Sequence, residues 1–178
     1  MRILPFSLLI ALLAMLAISA RAQQNTGADI NLYTLNVEFT RPADSTRVPL
    51  QSVFKKGKEP VVLAFWLTTC QPCMRELSAY AQQYPSWKQQ AKFRMVAVSI
   101  DYPNRFRQIN QVVKEKNLPF EALWDAKRSF KTILPGGLNG VPQVFLFSAD
   151  GRLVWQHKGY APGDEAELLR QIKAHQPK

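Results

Sequence analysis

The eight residues "PVVLAFWL", Pro60 to Leu67, contain no charge and only one side-chain hydrogen-bonding group, the Trp66 indole. The run has the length of a strand. It does not alternate between apolar and polar residues, so it predicts a strand buried on both faces, in the middle of a mixed sheet. A strand of that kind needs cover on each side, which points to a layered α/β architecture.

The rest of the chain supplies the layers. "KFRMVAVSI" and "VPQVFLFS" read as two more buried strands, and "FEALW" as a short one. "INLYTLNVEF" alternates at Leu32, Tyr33, Leu35, Val37 and Phe39, which predicts a strand, followed by the turn "TRPADSTR". "VPLQSVFKKGKE" reads as a short extended piece, a turn of helix and a Gly-containing loop. Leu77, Tyr80, Ala81, Tyr84 and Trp87 recur at helical spacing, predicting a helix from Cys70 to Gln90 with a break near Pro85. Phe106, Ile109, Val112 and Val113 share one face of a second helix, and "AKRSFKTIL" forms a short third. Ala149-Asp150-Gly151 between apolar runs predicts a hairpin turn. "PGDEAELLRQIKAH" closes the chain as a helix, with acids in its first turn and Leu168, Leu169 and Ile172 on one face. The expected order is β(β)αβαβαββα, with parallel strands in the centre and an antiparallel hairpin at the end.

The chain has 178 residues, enough for one domain with a sizeable core and no need of cross-links. Its N-terminus differs from the rest. After Arg2 the residues from Ile3 to Ile18 are apolar apart from Pro5 and Ser7, and Ala20-Arg21-Ala22 follows. A positive start, a short apolar run and a small-x-small triplet form a secretory signal peptide. Residues 1–22 are therefore expected to be removed and 23–178 to form the domain; an uncleaved membrane anchor is the alternative. Export would make disulfides possible without requiring that they persist. The net charge is +10, and loss of Arg2 and Arg21 would leave +8. The basic residues are scattered rather than run together, so they read as solvated faces with a bias towards acidic partners or anionic lipid, not as a nucleic-acid site.

Cys70 and Cys73 are the only cysteines. A structural zinc site needs four Cys or His ligands, but the chain adds only His157 and His175, the latter close to the C-terminus. A redox dithiol fits better. Cys70 falls where the buried strand gives way to a helix, and the N–H groups and partial positive charge of a helix N-terminus stabilise a thiolate. Cys73, one turn further in, is placed to resolve a mixed disulfide. Pro72 fits the first helical turn.

The stretch "VVLAFWLTTCQPCMREL" resembles the strand–WCxxC–helix core of the thioredoxin superfamily. Within it, the chain is similar to the exported thiol–disulfide oxidoreductases of the TlpA, ResA and cytochrome-c-maturation type. "VAVSID", "LWD" and "GVPQVFLFSADGRLVWQHKGY" match later landmarks of that family, and the resemblance spans about Leu32 to Ile172. It implies a thioredoxin-like fold: a central mixed β-sheet flanked by helices. It also implies Cys70 as exposed nucleophile, Cys73 as resolving thiol, Pro142 as a cis-proline facing the pair, and Glu76 as proton acceptor for Cys73. Trp66 matches the tryptophan beneath the active loop. The implied activity is disulfide exchange, more as a reductant than as an oxidant. The implied partners are protein disulfides, such as those of cytochrome c before haem attachment, and a membrane electron donor. No cofactor or metal is expected beyond the Cys70–Cys73 disulfide, and oligomeric state is not legible.

Two positions depart from the family. Thr69 stands where a tryptophan is usual, and Ala64 where cytosolic thioredoxin has a buried aspartate, which leaves Glu76 as the remaining acceptor. Two alternatives stay open. A peroxide reductase of the same fold would need a Pro-x-x-x-Thr-x-x-Cys setting, of which only Thr68 and Thr69 are suggestive. A copper chaperone would use Cys70, Cys73 and His157.

Overall fold

The computed structural model describes residues 30–177. The expected signal peptide, residues 1–22, and the polar lead, residues 23–29, lie outside the described residues.

Seven strands form one mixed sheet in the order β2-β1-β5-β4-β3-β6-β7. They are β1 (Glu38–Thr40), β2 (Arg47–Pro49), β3 (Val61–Trp66), β4 (Arg94–Ser99), β5 (Glu121–Trp124), β6 (Gln143–Phe147) and β7 (Leu153–Lys158). Strands β3, β4 and β5 run parallel, while β6 pairs antiparallel with β3 and β7 antiparallel with β6. The helices are α1 (Leu50–Val53), α2 (Gln71–Gln90), α3 (Phe106–Glu115), α4 (Phe130–Ile133) and α5 (Asp164–Ala174). The expected sheet flanked by helices is thus present.

Strand β3 is central, and every one of its side chains is buried. Alternation sorts them onto two faces. Leu63 and Phe65 point into a core with Phe39, Phe130, Phe145 and Phe147, in which the Phe65 and Phe130 rings lie 5.1 Å apart. Val62, Ala64 and Trp66 point into the other core, with Cys73, Leu77, Tyr80 and Trp87 of α2 and Leu168 and Ile172 of α5. The uniformly apolar sequence of β3 is the direct consequence of this two-sided cover.

The structure departs from the sequence reading at two elements. The alternating run from Leu32 is not one strand. Leu32–Thr34 forms a single 3₁₀ turn, and only Glu38–Thr40 is extended in the sheet. The Asn31 side chain accepts from the Tyr33 N–H, and the Leu32 N–H donates to the Gly151 carbonyl. The segment is therefore tied to the β6–β7 turn, and the apolar alternation marks burial rather than pairing. Nor does Pro85 break α2, which runs unbroken from Gln71 to Gln90. Pro85 is exposed, so the carbonyl it deprives of a partner can turn to water, while Tyr84 and Trp87 hold the helix against Phe93.

Candidate active site

The C-terminal end of β3 delivers the chain to Thr68, Thr69 and Cys70, and α2 starts at the next residue. Cys70 is the N-cap of α2, with extended backbone angles, and its Sγ accepts the Cys73 N–H at 3.2 Å. A helix N-terminus leaves such N–H groups unpaired, so a sulfur placed there meets both a donor and the positive end of the helix dipole. The two cysteines are joined as a disulfide, with Cα atoms 5.2 Å apart. Cys70 is half-buried and Cys73 fully buried, so an approaching molecule reaches Cys70 first. The Val141–Pro142 bond is cis, and the Val141 carbonyl oxygen lies 3.5 Å from Cys70 Sγ. The Pro142 carbonyl accepts from the Gly159 N–H, so the carbonyl that faces the sulfur is that of Val141.

Glu76 is completely buried beneath the pair, one helical turn beyond Cys73. The Tyr80 hydroxyl donates to its Oε1 at 3.2 Å, and Oε2 has no hydrogen-bond partner among the described residues. Burial raises its pKa from 4.5 to about 8; the negative charges of Asp164 and Glu165 add to the rise, and the Tyr80 hydrogen bond opposes it. Tyr80 itself is pushed well above its ordinary value by burial and by Glu76. Trp66 and Ala64 line the same core face as Cys73 and carry no carboxylate, so Glu76 is the acid of that core.

One constellation was missed by reasoning from the sequence, where "VAVSID" served only as a landmark. Asp101, buried after the end of β4, accepts from the Thr68 N–H at 2.9 Å and from the Thr68 hydroxyl at 2.7 Å. It also accepts from Ser99 Oγ, and its own carbonyl accepts from the Trp124 indole. A lone Asp after a buried strand gives no hint in sequence that it braces a loop more than thirty residues earlier. The bracing ties the hydroxyl of Thr68 to Asp101; what weighs against the peroxide reading is the position three residues before Cys70, where its threonine would stand and the chain has Leu67. Thr69 is exposed beside Cys70. His157, the third ligand of the copper reading, is held by Asp164 at 3.1 Å and stacks on Trp155. Among the described residues no three His, Cys, Asp or Glu side chains are grouped as a metal ion requires.

A mixed sheet of this order, with a Cys-x-x-Cys pair opening the helix after its central strand and a proline loop opposite, defines a thioredoxin-like protein. The chain belongs to the AhpC/TSA family, whose model matches residues 27–156. Among curated proteins it is similar to the thiol-disulfide oxidoreductase ResA of Bacillus thuringiensis subsp. konkukian, 28% identical over 112 residues. That alignment takes in 63% of this chain and 61% of ResA, so the match spans about three fifths of the curated relative. Among solved structures, a thioredoxin-like protein of Porphyromonas gingivalis superposes with a TM-score of 0.67 at 27% identity, covering 82% of this chain and 93% of the other. A thiol:disulfide interchange protein of the thioredoxin family from Chlorobium tepidum superposes at 0.60 with 20% identity, covering 83% and 99%, and shares the fold.

Proposed function

We propose that the protein is an exported thiol–disulfide oxidoreductase that reduces disulfides in partner proteins through Cys70 and Cys73. The observation that supports this most is the arrangement of the pair: Cys70 half-exposed at the N-cap of α2, Cys73 buried behind it.

In the reduced protein the Cys70 thiolate, stabilised by the helix N-terminus, attacks one sulfur of the substrate disulfide. A Cys70–substrate bond forms and the substrate's other sulfur leaves as a thiolate. Cys73 then loses its proton to Glu76 and attacks Cys70 Sγ, which closes the Cys70–Cys73 disulfide and releases the second substrate thiolate. Two electrons pass to the substrate, and its thiolates take up two protons. Glu76 suits the transfer, because its pKa of about 8 is close to the ordinary thiol value of ~8.5, so the proton moves with little energy difference. The Val141–Pro142 segment presents backbone to the incoming chain. No cofactor enters the exchange. A membrane electron donor would return the pair to the dithiol form, and disulfides such as those of cytochrome c before haem attachment are the substrate class. Export rests on the signal-like residues 1–22.

The test is paired substitution. Cys73→Ser should accumulate a mixed disulfide with a disulfide-bonded test protein, while Cys70→Ser should neither trap nor reduce it. Reduction by Cys70→Ser at the parental rate refutes the assignment. The direction follows from the potential of the couple: a value near −270 mV fits a reductant and one near −120 mV an oxidant, on the scale of roughly −120 to −270 mV spanned by this chemistry.

A further inference from the structure

The C-terminal ends of the parallel strands carry more than the cysteines. In the sheet β3, β4 and β5 are neighbours, each about 4.8 Å from the next. The residues just beyond their ends are Cys70 after β3, Tyr102 after β4 and Arg128 after β5. Tyr102 is 63% exposed and is the only exposed large hydrophobic side chain among the described residues. The Arg128 guanidinium stacks over its ring, 4.4 Å from the centroid. Arg128 has a φ of +54°, a left-handed conformation that costs a non-glycine residue free energy. Its Nε is buried without a hydrogen-bond partner, and its guanidinium forms no ion pair among the described residues.

The patch is rigidly attached to the thiol. Asp101, the residue before Tyr102, holds Thr68 through two hydrogen bonds and receives the Trp124 indole of β5 on its carbonyl. Its surroundings are basic: residues 102–107 and 126–131 contain Arg105, Arg107, Lys127, Arg128 and Lys131 and no acid, and among the described residues only Lys127 of these is ion-paired, to Glu38 of β1 at 4.0 Å. The acids adjoining them, Asp101 and Asp125, are buried and committed, Asp125 to the N–H groups of Ser129 and Phe130. The other acids near the site, Asp164 and Glu165, are on α5, which follows β7 beyond β6, and are engaged by His157 and Tyr160.

We propose that Tyr102 and Arg128 form a docking site for an acidic segment of the substrate protein, next to its disulfide. An aromatic ring fixed on a rigid loop and an arginine pre-stacked on it are the residue types that dominate binding energy at interfaces, and both are held before the partner arrives. An arginine fork receives a carboxylate through two parallel hydrogen bonds, and the ring offers an apolar contact that Thr69 cannot supply beside Cys70. The occupant must bring a disulfide to Cys70, which selects the substrate's own flanking chain over a lipid or nucleic acid. The inference rests on the proposed exchange activity and specifies what that activity selects.

Two disulfide-bridged peptides, identical except for two Glu or two Gln residues flanking one cysteine, test it. The rate of exchange is measured between each peptide and the pre-reduced full-length protein. The Glu peptide should react about tenfold faster at low salt, and the preference should shrink as salt rises. Arg128→Gln should bring the ratio close to one, Tyr102→Ser should reduce it, and Lys58→Gln, before the start of β3 and so at the opposite end of the strands from Cys70, should leave it as in the parent. Equal rates for the two peptides, or a preference that survives in Arg128→Gln, overturn the docking site while leaving the exchange activity standing. Failure of both peptides to react overturns the exchange activity and the docking site with it.

Discussion

Glu76→Gln should stabilise the protein, and more so as pH rises. The carboxyl is completely buried, and its pKa is raised from 4.5 to about 8. An acid with a raised folded-state pKa binds its proton more tightly folded than unfolded. Its contribution is therefore neutral below about 4.5 and turns increasingly unfavourable through the interval up to about 8, above which it levels off. At about 1.4 kcal/mol per pH step, ionisation costs the folded chain about 3 kcal/mol at pH 7 and about 5 kcal/mol above pH 8, as upper bounds. Glutamine keeps the shape and can still accept from Tyr80 but cannot ionise. The assay is urea unfolding of the disulfide form, with cysteine titration absent, from pH 4.5 to 9 for parent and variant. The two curves should nearly coincide at pH 4.5 and separate by several kcal/mol at pH 8, with the parent losing stability. A parent whose stability is flat across that interval, or a variant no more stable at pH 8, would refute the argument that the carboxyl is desolvated. The same variant should lose the step in which Cys73 gives up its proton, seen as longer-lived mixed disulfide near neutral pH.

Asp101→Ala should lower unfolding stability by about 3 kcal/mol, because the Thr68 N–H, the Thr68 hydroxyl and the Ser99 hydroxyl all lose their acceptor. A loss under about 1 kcal/mol in urea unfolding would mean that water replaces the carboxylate at little cost. Gly151→Ala should lower Tm by roughly 4 to 8 °C, because its φ is +90° and an added Cβ would lie 2.5 Å from Asn31 Oδ1 and from the Tyr33 ring. An unchanged Tm would show that the tie between residues 31–33 and the β6–β7 turn contributes nothing.

The layered fold was legible because β3 is apolar from end to end and β4 and β6 are apolar but for Arg94, Ser99 and Gln143 at their ends, and only a sheet covered on both faces gives a sequence that pattern. The positions of Cys70 and Cys73 were legible for the same reason: the strand ends at Trp66, shortly before Thr69, and a helix period begins after it. The Glu76 environment was not, since three residues of helix spacing cannot distinguish a buried carboxyl from a solvated one. The interval from Leu32 to Phe39 misled because alternation records which side chains are buried, and a 3₁₀ turn pinned by Asn31 and Gly151 buries Leu32 as effectively as a ladder would. Asp101 escaped notice because its partner Thr68 lies on another strand's end, a neighbourhood created only by parallel β3–β4 pairing. The cis bond at Pro142 could be expected from family likeness alone, never from the residues, since trans is the ordinary state of such bonds.

The cysteines lie three residues apart, but the carbonyl that faces Cys70 Sγ comes from a segment 71 residues later, next to strand β6, which inserts beside β3. The reactive pair is thus a local feature of the chain, whereas the surface that presents a substrate to it is a long-range one. A chain emerging from its N-terminus would hold both thiols well before β6 exists to shape their surroundings. Closing that distance is among the slowest kinds of contact a fold makes, because non-local pairing pays its chain entropy before it gains its contacts. The half-formed protein could thus carry thiol reactivity without partner selection, and selectivity would arrive only with the last third of the sequence.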